Sequence, residues 1–228
     1  MIEQLIDQVI IGDKASYDDF SASMAKRKIK KPKKKTIKET VPFSNKTYDF
    51  SGMNGEVYWE ERELEYTFEI MADDPEELEA LKLKFSSWLM DIQEEEIHDP
   101  FIPDYHFIGT YDDMDFEDEE DVEKTTATVI FKAYPYMIAN VPKVYEVTVA
   151  ASGEAFLPIL NESSHPIAPT ITSDNGITLV IGNTSYSLSA GTIADENLKL
   201  PKGLTTILLQ NTKTTACTVR IKLFEEVK

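Results

Sequence analysis

The residues of this chain with the greatest chemical reach are three histidines, one cysteine and 41 carboxylates spread over 228 positions. His98, His106 and His165 are scattered, with no close-set H-x-x-x-H pair, so a histidine metal centre is not expected. Each reads as a surface or hydrogen-bonded loop residue. Cys217, the sole cysteine, rules out an intrachain disulfide or a cysteine-rich zinc site. It lies in an alternating segment and reads as a small buried side chain. The acidic run from Asp112 to Asp121 would attract Ca²⁺, yet it lacks the glycine that an EF-hand loop needs at its sixth position. It reads as a solvated, self-repelling loop. Glu60 and Glu61 are one of many close carboxylate pairs, and nothing marks two of them at the separation that glycoside hydrolysis requires. No phosphate-binding loop, dinucleotide fingerprint or nucleophile elbow occurs. The residues therefore point to no catalytic, cofactor-binding or metal site, and the expectation is a protein that is not an enzyme.

A second chemical feature is a block of cations: Lys26, Arg27, Lys28, Lys30, Lys31, Lys33, Lys34 and Lys35. It resembles a nucleic-acid-binding segment, but no aromatic residues are interleaved to stack bases. Its surroundings would also repel phosphate. Residues 1–142 hold 16 basic and 33 acidic groups, whereas residues 143–228 hold 7 and 8 and are nearly neutral. That shift divides the chain into candidate domains at 1–142 and 143–228. Pro32 and self-repulsion disfavour a helix across the lysines, so the segment reads as an extended arm or loop that contacts an acidic protein surface. The first residues lack the basic and apolar regions of a secretion signal, and no window is long and apolar enough for a membrane span. Folding in a cytoplasm is expected.

The elements that must position these groups follow from periodicity. Ile2 to Ile11 is ambiguous between a helix and a strand entering the Gly12-Asp13 turn. Leu64, Tyr66, Phe68 and Ile70 alternate with Glu63, Glu65, Thr67 and Glu69, the clearest strand in the chain. Extending that parity backwards places Glu60 and Arg62 on the apolar face, where a charge needs a partner or a subunit contact. The alternative is a strand that begins only at Glu63. Asp74-Pro75-Glu76-Glu77 caps and opens a helix, whose apolar face is Leu78, Leu81, Phe85, Trp88, Leu89 and Ile92 and which should run to about Glu95. Strands are expected at Tyr105–Gly109 and Thr126–Ala133, separated by the acidic loop. Beyond residue 143 the texture is short strands and turns. They include Tyr145–Val149, Thr170–Thr172, a hairpin of Ile177–Ile181 with Ser185–Leu188, Thr205–Leu209 and Val219–Leu223. That frequency of strands indicates a compact β-sandwich.

The order of these segments resembles the siphophage distal tail (Dit) protein family. The likeness runs through Ile11-Gly12-Asp13-Lys14-Ala15-Ser16-Tyr17-Asp18-Asp19-Phe20, the basic stretch, Val41-Pro42 and Tyr48-Asp49-Phe50-Ser51. It continues through Tyr58-Trp59-Glu60-Glu61-Arg62, the alternating strand, the helix ending in Trp88-Leu89, Asp104 to Gly109 and Ile130 to Tyr136. The resemblance implies an α+β N-terminal belt domain, a β-sheet with one main helix, followed by a small all-β galectin-like sandwich. It marks Tyr48, Asp49, Phe50, Trp59, Glu60 and Arg62 as candidate interface residues. It further implies a homo-hexameric ring at the tip of a phage tail. That ring would join the tail-tube protein to the baseplate hub or tail-associated lysin, with DNA passing through the lumen unbound. No cofactor and no membrane are implied. The rival reading is a carbohydrate-binding β-sandwich of the host-adhesion device, although Tyr145, Phe156, Tyr186 and Phe224 are the only aromatics beyond residue 143.

Overall fold

The computed structural model describes residues 7–40, 42–43, 45–52, 57–118 and 123–228. The chain divides into two compact units, Met1–Met137 with Lys228, and Ile138–Val227.

In the first unit, the chain passes through β1 (Ile10–Ile11), β2 (Lys14–Ala15), the short helix α1 (Ser16–Phe20) and β3 (Ala22–Ile29). A small hairpin follows, β4 (Lys38–Thr40) with β5 (Thr47–Asp49), and then β6 (Arg62–Met71), helix α2 (Pro75–Met90), β7 (Glu95–His98), β8 (Tyr105–Asp118) and β9 (Lys124–Ala133). The main sheet runs β2-β1-β7-β8-β9-β6-β3, with every neighbouring pair antiparallel. Of the Ile2–Ile11 segment, Ile10 and Ile11 are strand, and residues 1–6 lie outside the described part.

The alternation in β6 is realised. Leu64, Tyr66, Phe68 and Ile70 are buried, and the residues between them are half-buried. Asp74 caps α2 by accepting from the Glu77 N–H at 2.8 Å, with Pro75 in the first turn. Leu78, Phe85 and Leu89 of α2 are buried. Trp88 stacks on Phe20 at 4.4 Å between ring centroids, and Phe85 meets Phe68 edge-on at 5.4 Å. The helix stops at Met90 and not near Glu95. Glu94, Glu95 and Glu96 would sit at the negative end of its dipole, and Glu95–His98 instead forms β7, a strand the periodicity did not signal.

Two charged segments also depart from expectation. The acidic run is not a loop up to Asp118, because residues 112–118 belong to β8, while 119–122 lie outside the described residues. Tyr111, Met114 and Phe116 pack against the core, and the carboxylates between them are exposed. A bulge between Tyr111 and Asp113 gives Asp112 the freedom to meet Lys132 at 3.2 Å. Conversely, Lys26, Arg27 and Lys28 lie in β3, an edge strand, and not in an arm. Buried Ala22 and Met24 anchor that strand, and the glutamates of β6 lie opposite its cations: Lys28 bonds Glu65 at 3.0 Å, and Lys30 bonds Glu63.

The boundary falls within β10 (Met137–Ala139), and the second unit continues with β11 (Lys143–Val149), β12 (Glu154–Asn161), β13 (Thr170–Ser173), β14 (Ile177–Ile181), β15 (Thr184–Leu188), β16 (Gly191–Ala194), β17 (Gly203–Gln210), β18 (Cys217–Leu223) and β19 (Glu226–Val227). β11-β18-β13-β16 and β12-β17-β14-β15 form two four-stranded antiparallel sheets around one core, and β10 pairs with β19. The expected β14–β15 hairpin closes through Gly182-Asn183, with Ile181 opposite Thr184. Strand β12 was not anticipated because Pro158 interrupts its pattern. It is tolerated because β12 is an edge strand. Cys217 is fully buried, as expected.

Candidate assembly surface

From Lys30 onward the chain leaves the sheet edge as an extended ladder. The Lys33 carbonyl accepts from the Glu60 N–H at 2.8 Å, the Lys35 N–H donates to the Tyr58 carbonyl at 2.9 Å, and Lys34 bridges Trp59. The ladder continues through the Phe50 N–H, which donates to the Ile37 carbonyl at 2.8 Å, into the β4–β5 hairpin, where Lys38 faces Asp49. Asp49 accepts from the Ser51 N–H at 2.9 Å, and the Ser51 hydroxyl in turn accepts from the Ile37 N–H at 2.8 Å. Hydrogen bonding from Ser51 holds the Asp49 carboxyl below its ordinary range. Tyr48 in β5 and Phe50 just beyond its end are two residues apart in extended chain and share a face. Their rings stack 6.4 Å apart and are 47% and 41% exposed. Ile37, Val57 and Tyr58 are also exposed, while Trp59 is half-buried beneath the Lys228 ammonium, 3.8 Å from its ring centroid.

Lys26, Lys33, Lys34 and Lys35 have no ion-pair partner among the described residues. With Lys33, Lys34 and Lys35 on the arm, it presents apolar rings beside an excess of positive charge, of which Asp49 offsets only part. That combination suits contact with an acidic protein surface, since exposed apolar patches rimmed by polar groups mark interaction sites.

Arg27 belongs to a different assembly. Its guanidinium donates to Asp99 at 2.7 Å and lies over the Phe101 ring at 4.6 Å. The buried Asp99 carboxylate also accepts from the Tyr66 hydroxyl at 3.1 Å and the Phe101 N–H at 2.9 Å. Burial, and then the adjacent Asp99, push the Tyr66 hydroxyl far above the ordinary tyrosine range. Arg62 is the second misplaced cation. It is buried at 1% exposure over the Phe107 ring, and its Nε and Nη2 have no hydrogen-bond partner. Burial lowers its pKa. Glu60 is exposed, so the expected Glu60–Arg62 pair on the apolar face is not formed. Strand β6 starts at Arg62, and the backward parity fails at Glu60 because that residue belongs to the arm ladder.

No family model matches the sequence, and no curated protein matches it. Among solved structures, the chain aligns with the crystal structure of the Dit protein of phage SPP1, described as a paradigm of the hub adsorption apparatus in phages infecting Gram-positive bacteria. The alignment covers 97% of this chain and 99% of that one at 14% identity, with a TM-score of 0.68. The chain has the distal tail protein fold. A structure of the phage P2 baseplate in its activated conformation with Ca aligns over 96% of this chain and 98% of that one, at 9% identity and a TM-score of 0.43.

Within the distal tail fold, the motif residues Tyr48, Asp49, Phe50, Trp59 and Glu60 come together on the arm, while Arg62 stands apart in the core. The structure also joins residues that looked unrelated. His98 and His106, read as scattered, are neighbours, with ring centroids 5.2 Å apart. His98 follows Ile97, and His106 precedes Phe107 in the Ile97–Phe107 pair, so antiparallel pairing sets the histidines side by side. Glu96, two residues before His98, lies on the same face. Only knowledge of the β7–β8 pairing would have exposed this cluster, and β7 itself was missed. His165 is elsewhere, 3.0 Å from Glu226.

Proposed function

We propose that this chain is a structural subunit of a phage tail tip, a distal tail protein whose first unit closes a homo-hexameric ring. The ring joins the tail-tube protein to the baseplate hub or tail-associated lysin, and DNA crosses its lumen without specific binding. The second unit is its galectin-like sandwich. The fold likeness supports the general role. The observation that carries the ring is the arm, with Tyr48 and Phe50 exposed beside Lys33, Lys34 and Lys35, which make no ion pair among the described residues. A two-stranded hairpin is marginal on its own, and a neighbouring copy with exposed Asp113, Asp115 and Glu117 supplies both cover and counter-charge. Cyclic closure also satisfies a heterologous contact of this kind without leaving a free end.

The test is native mass spectrometry with negative-stain imaging, at low and high salt, with and without the tail-tube protein. Hexamers with a central hole, weakened by salt, are expected. A monomer under every condition would overturn the reading. Tight binding of duplex DNA by the assembled ring at moderate salt would refute the passive lumen. The carbohydrate-binding alternative gains little from the second unit. Its groove beside β11, β18 and β13 is lined by Glu146, Thr172, Asp174, Thr218, Arg220 and Lys222, with no aromatic platform among its lining residues.

A further inference from the structure

We infer that Glu96, His98 and His106 form a binding site for a late first-row divalent metal ion, with Zn²⁺ the natural occupant. The three side chains come from two adjacent strands and converge: their donor atoms all lie within 4.8 Å of one another. His98 Nε2 is 3.2 Å from Glu96 Oε2, and His106 Nε2 is 3.9 Å from Glu96 Oε1. Donors around a tetrahedral zinc, at bond lengths near 2.0–2.1 Å, stand roughly 3.3 Å apart. The two contacts are made to different oxygens of the Glu96 carboxylate, so binding through one oxygen requires the carboxylate and the rings to turn toward a common point and draw in from separations of up to 4.8 Å.

The donor set selects the ion. Two imidazoles and one carboxylate suit zinc, nickel, cobalt or iron(II). Calcium, which takes six to eight oxygens, finds only one side chain that can serve it here. Burial also differs across the site in a useful way. The side chain of His106 is 8% exposed, that of His98 34%, and that of Glu96 56%. The inner histidine is held by the sheet, whereas the outer two ligands leave coordination positions facing solvent. Three protein donors with an open remainder describe a site that takes water, or a donor from a neighbouring molecule, as its further ligand. The ion would tie β7 to β8 beside Asp99, the carboxylate that holds Arg27 and Tyr66. None of this depends on the proposed ring.

The probe is the metal itself. Full-length protein, stripped with chelator, is titrated with Co²⁺ and then Zn²⁺, following the visible cobalt bands and the heat of binding. A single saturable site, with cobalt displaced by zinc, is expected. His98→Ala and Glu96→Gln, both at accessible positions, should each weaken zinc binding by about tenfold or more. The melting temperature of either variant in chelator should remain that of the parent, and a given Zn²⁺ concentration should raise it less in either variant than in the parent. His165→Ala should change nothing. Absence of zinc binding by the parent chain, or equal affinity in the His98→Ala and Glu96→Gln variants, would overturn the site. Either result would leave the three side chains as a hydrogen-bonded surface cluster.

Discussion

Arg62 occupies the start of β6 almost fully buried, with two of its nitrogens lacking a hydrogen-bond partner within the described chain. An uncompensated buried cation is a liability, and apolar replacements of buried ionic groups are often neutral or stabilising. Arg62→Met should therefore leave the isolated chain as stable as the parent, or more stable by up to about 2 kcal/mol in urea titrations. A clear loss would mean that the guanidinium has a compensating partner after all. Asp99 presents the opposite case. It accepts from Arg27, Tyr66 and the Phe101 backbone, and Asp99→Ala strands all three donors. A loss of about 2–3 kcal/mol is expected, discounted because Arg27 is partly solvated. Tyr66 makes the same network sensitive to alkali. Its folded-state pKa is raised, so its contribution is complete below the unfolded value near 10 and is lost as pH climbs above it. Stability should fall by up to about 1.4 kcal/mol per pH unit from this group. Tyr66→Phe should flatten part of that decline, leaving the share from Lys132 and Lys143, whose pKa values are also raised by carboxylate partners.

The hairpin of β4 and β5 depends on a ladder of backbone bonds with little core beneath it. Its amides should exchange with solvent within the fastest class in the free chain and slow markedly on assembly. Tyr48→Ser with Phe50→Ser should change monomer stability by no more than about 0.5 kcal/mol, yet impair the proposed ring. Hydrogen exchange and native mass spectrometry read the two effects separately. At this scale the sequence was legible wherever one face was apolar. The alternation from Leu64 to Ile70, the Asp74 cap and the Gly182-Asn183 turn all reflect local chemistry that survives folding. It was less legible where charge hid the pattern. In β8 the inward Tyr111, Met114 and Phe116 are outnumbered by carboxylates, and a bulge breaks their period. In β3 the lysines find glutamates across the ladder, a non-local fact. The arm residues were found through a resemblance to known proteins. The histidine–glutamate cluster escaped because it exists only through strand pairing.

The charge asymmetry of the whole chain has an energetic side. The nearly neutral second unit has its own core, with Ile207, Leu209, Val219 and Ile221 fully buried, and residues 138–227 should unfold cooperatively as a separate fragment. The first unit contains most of the excess negative charge, and its self-repulsion should relax with added salt. The full-length chain should accordingly show two thermal transitions, of which only one moves upward as salt increases. Calorimetry of the fragment and of the full chain identifies which is which. A single salt-insensitive transition in the full chain would contradict this division.

Gly182 turns the β14–β15 hairpin at φ +56°, where glycine is at ease, with no atom within 4 Å of the position a β-carbon would take. Both turn residues are exposed, and the hairpin sits at the end of its sheet, where β15 is the outermost strand. A foreign peptide spliced between Gly182 and Asn183 would lengthen a loop without breaking a rung of the sheet, and loop elongation is thermodynamically gentle. That turn is accordingly the natural port for an epitope or a fluorescent reporter, a handle by which copies of this chain could be counted one assembly at a time.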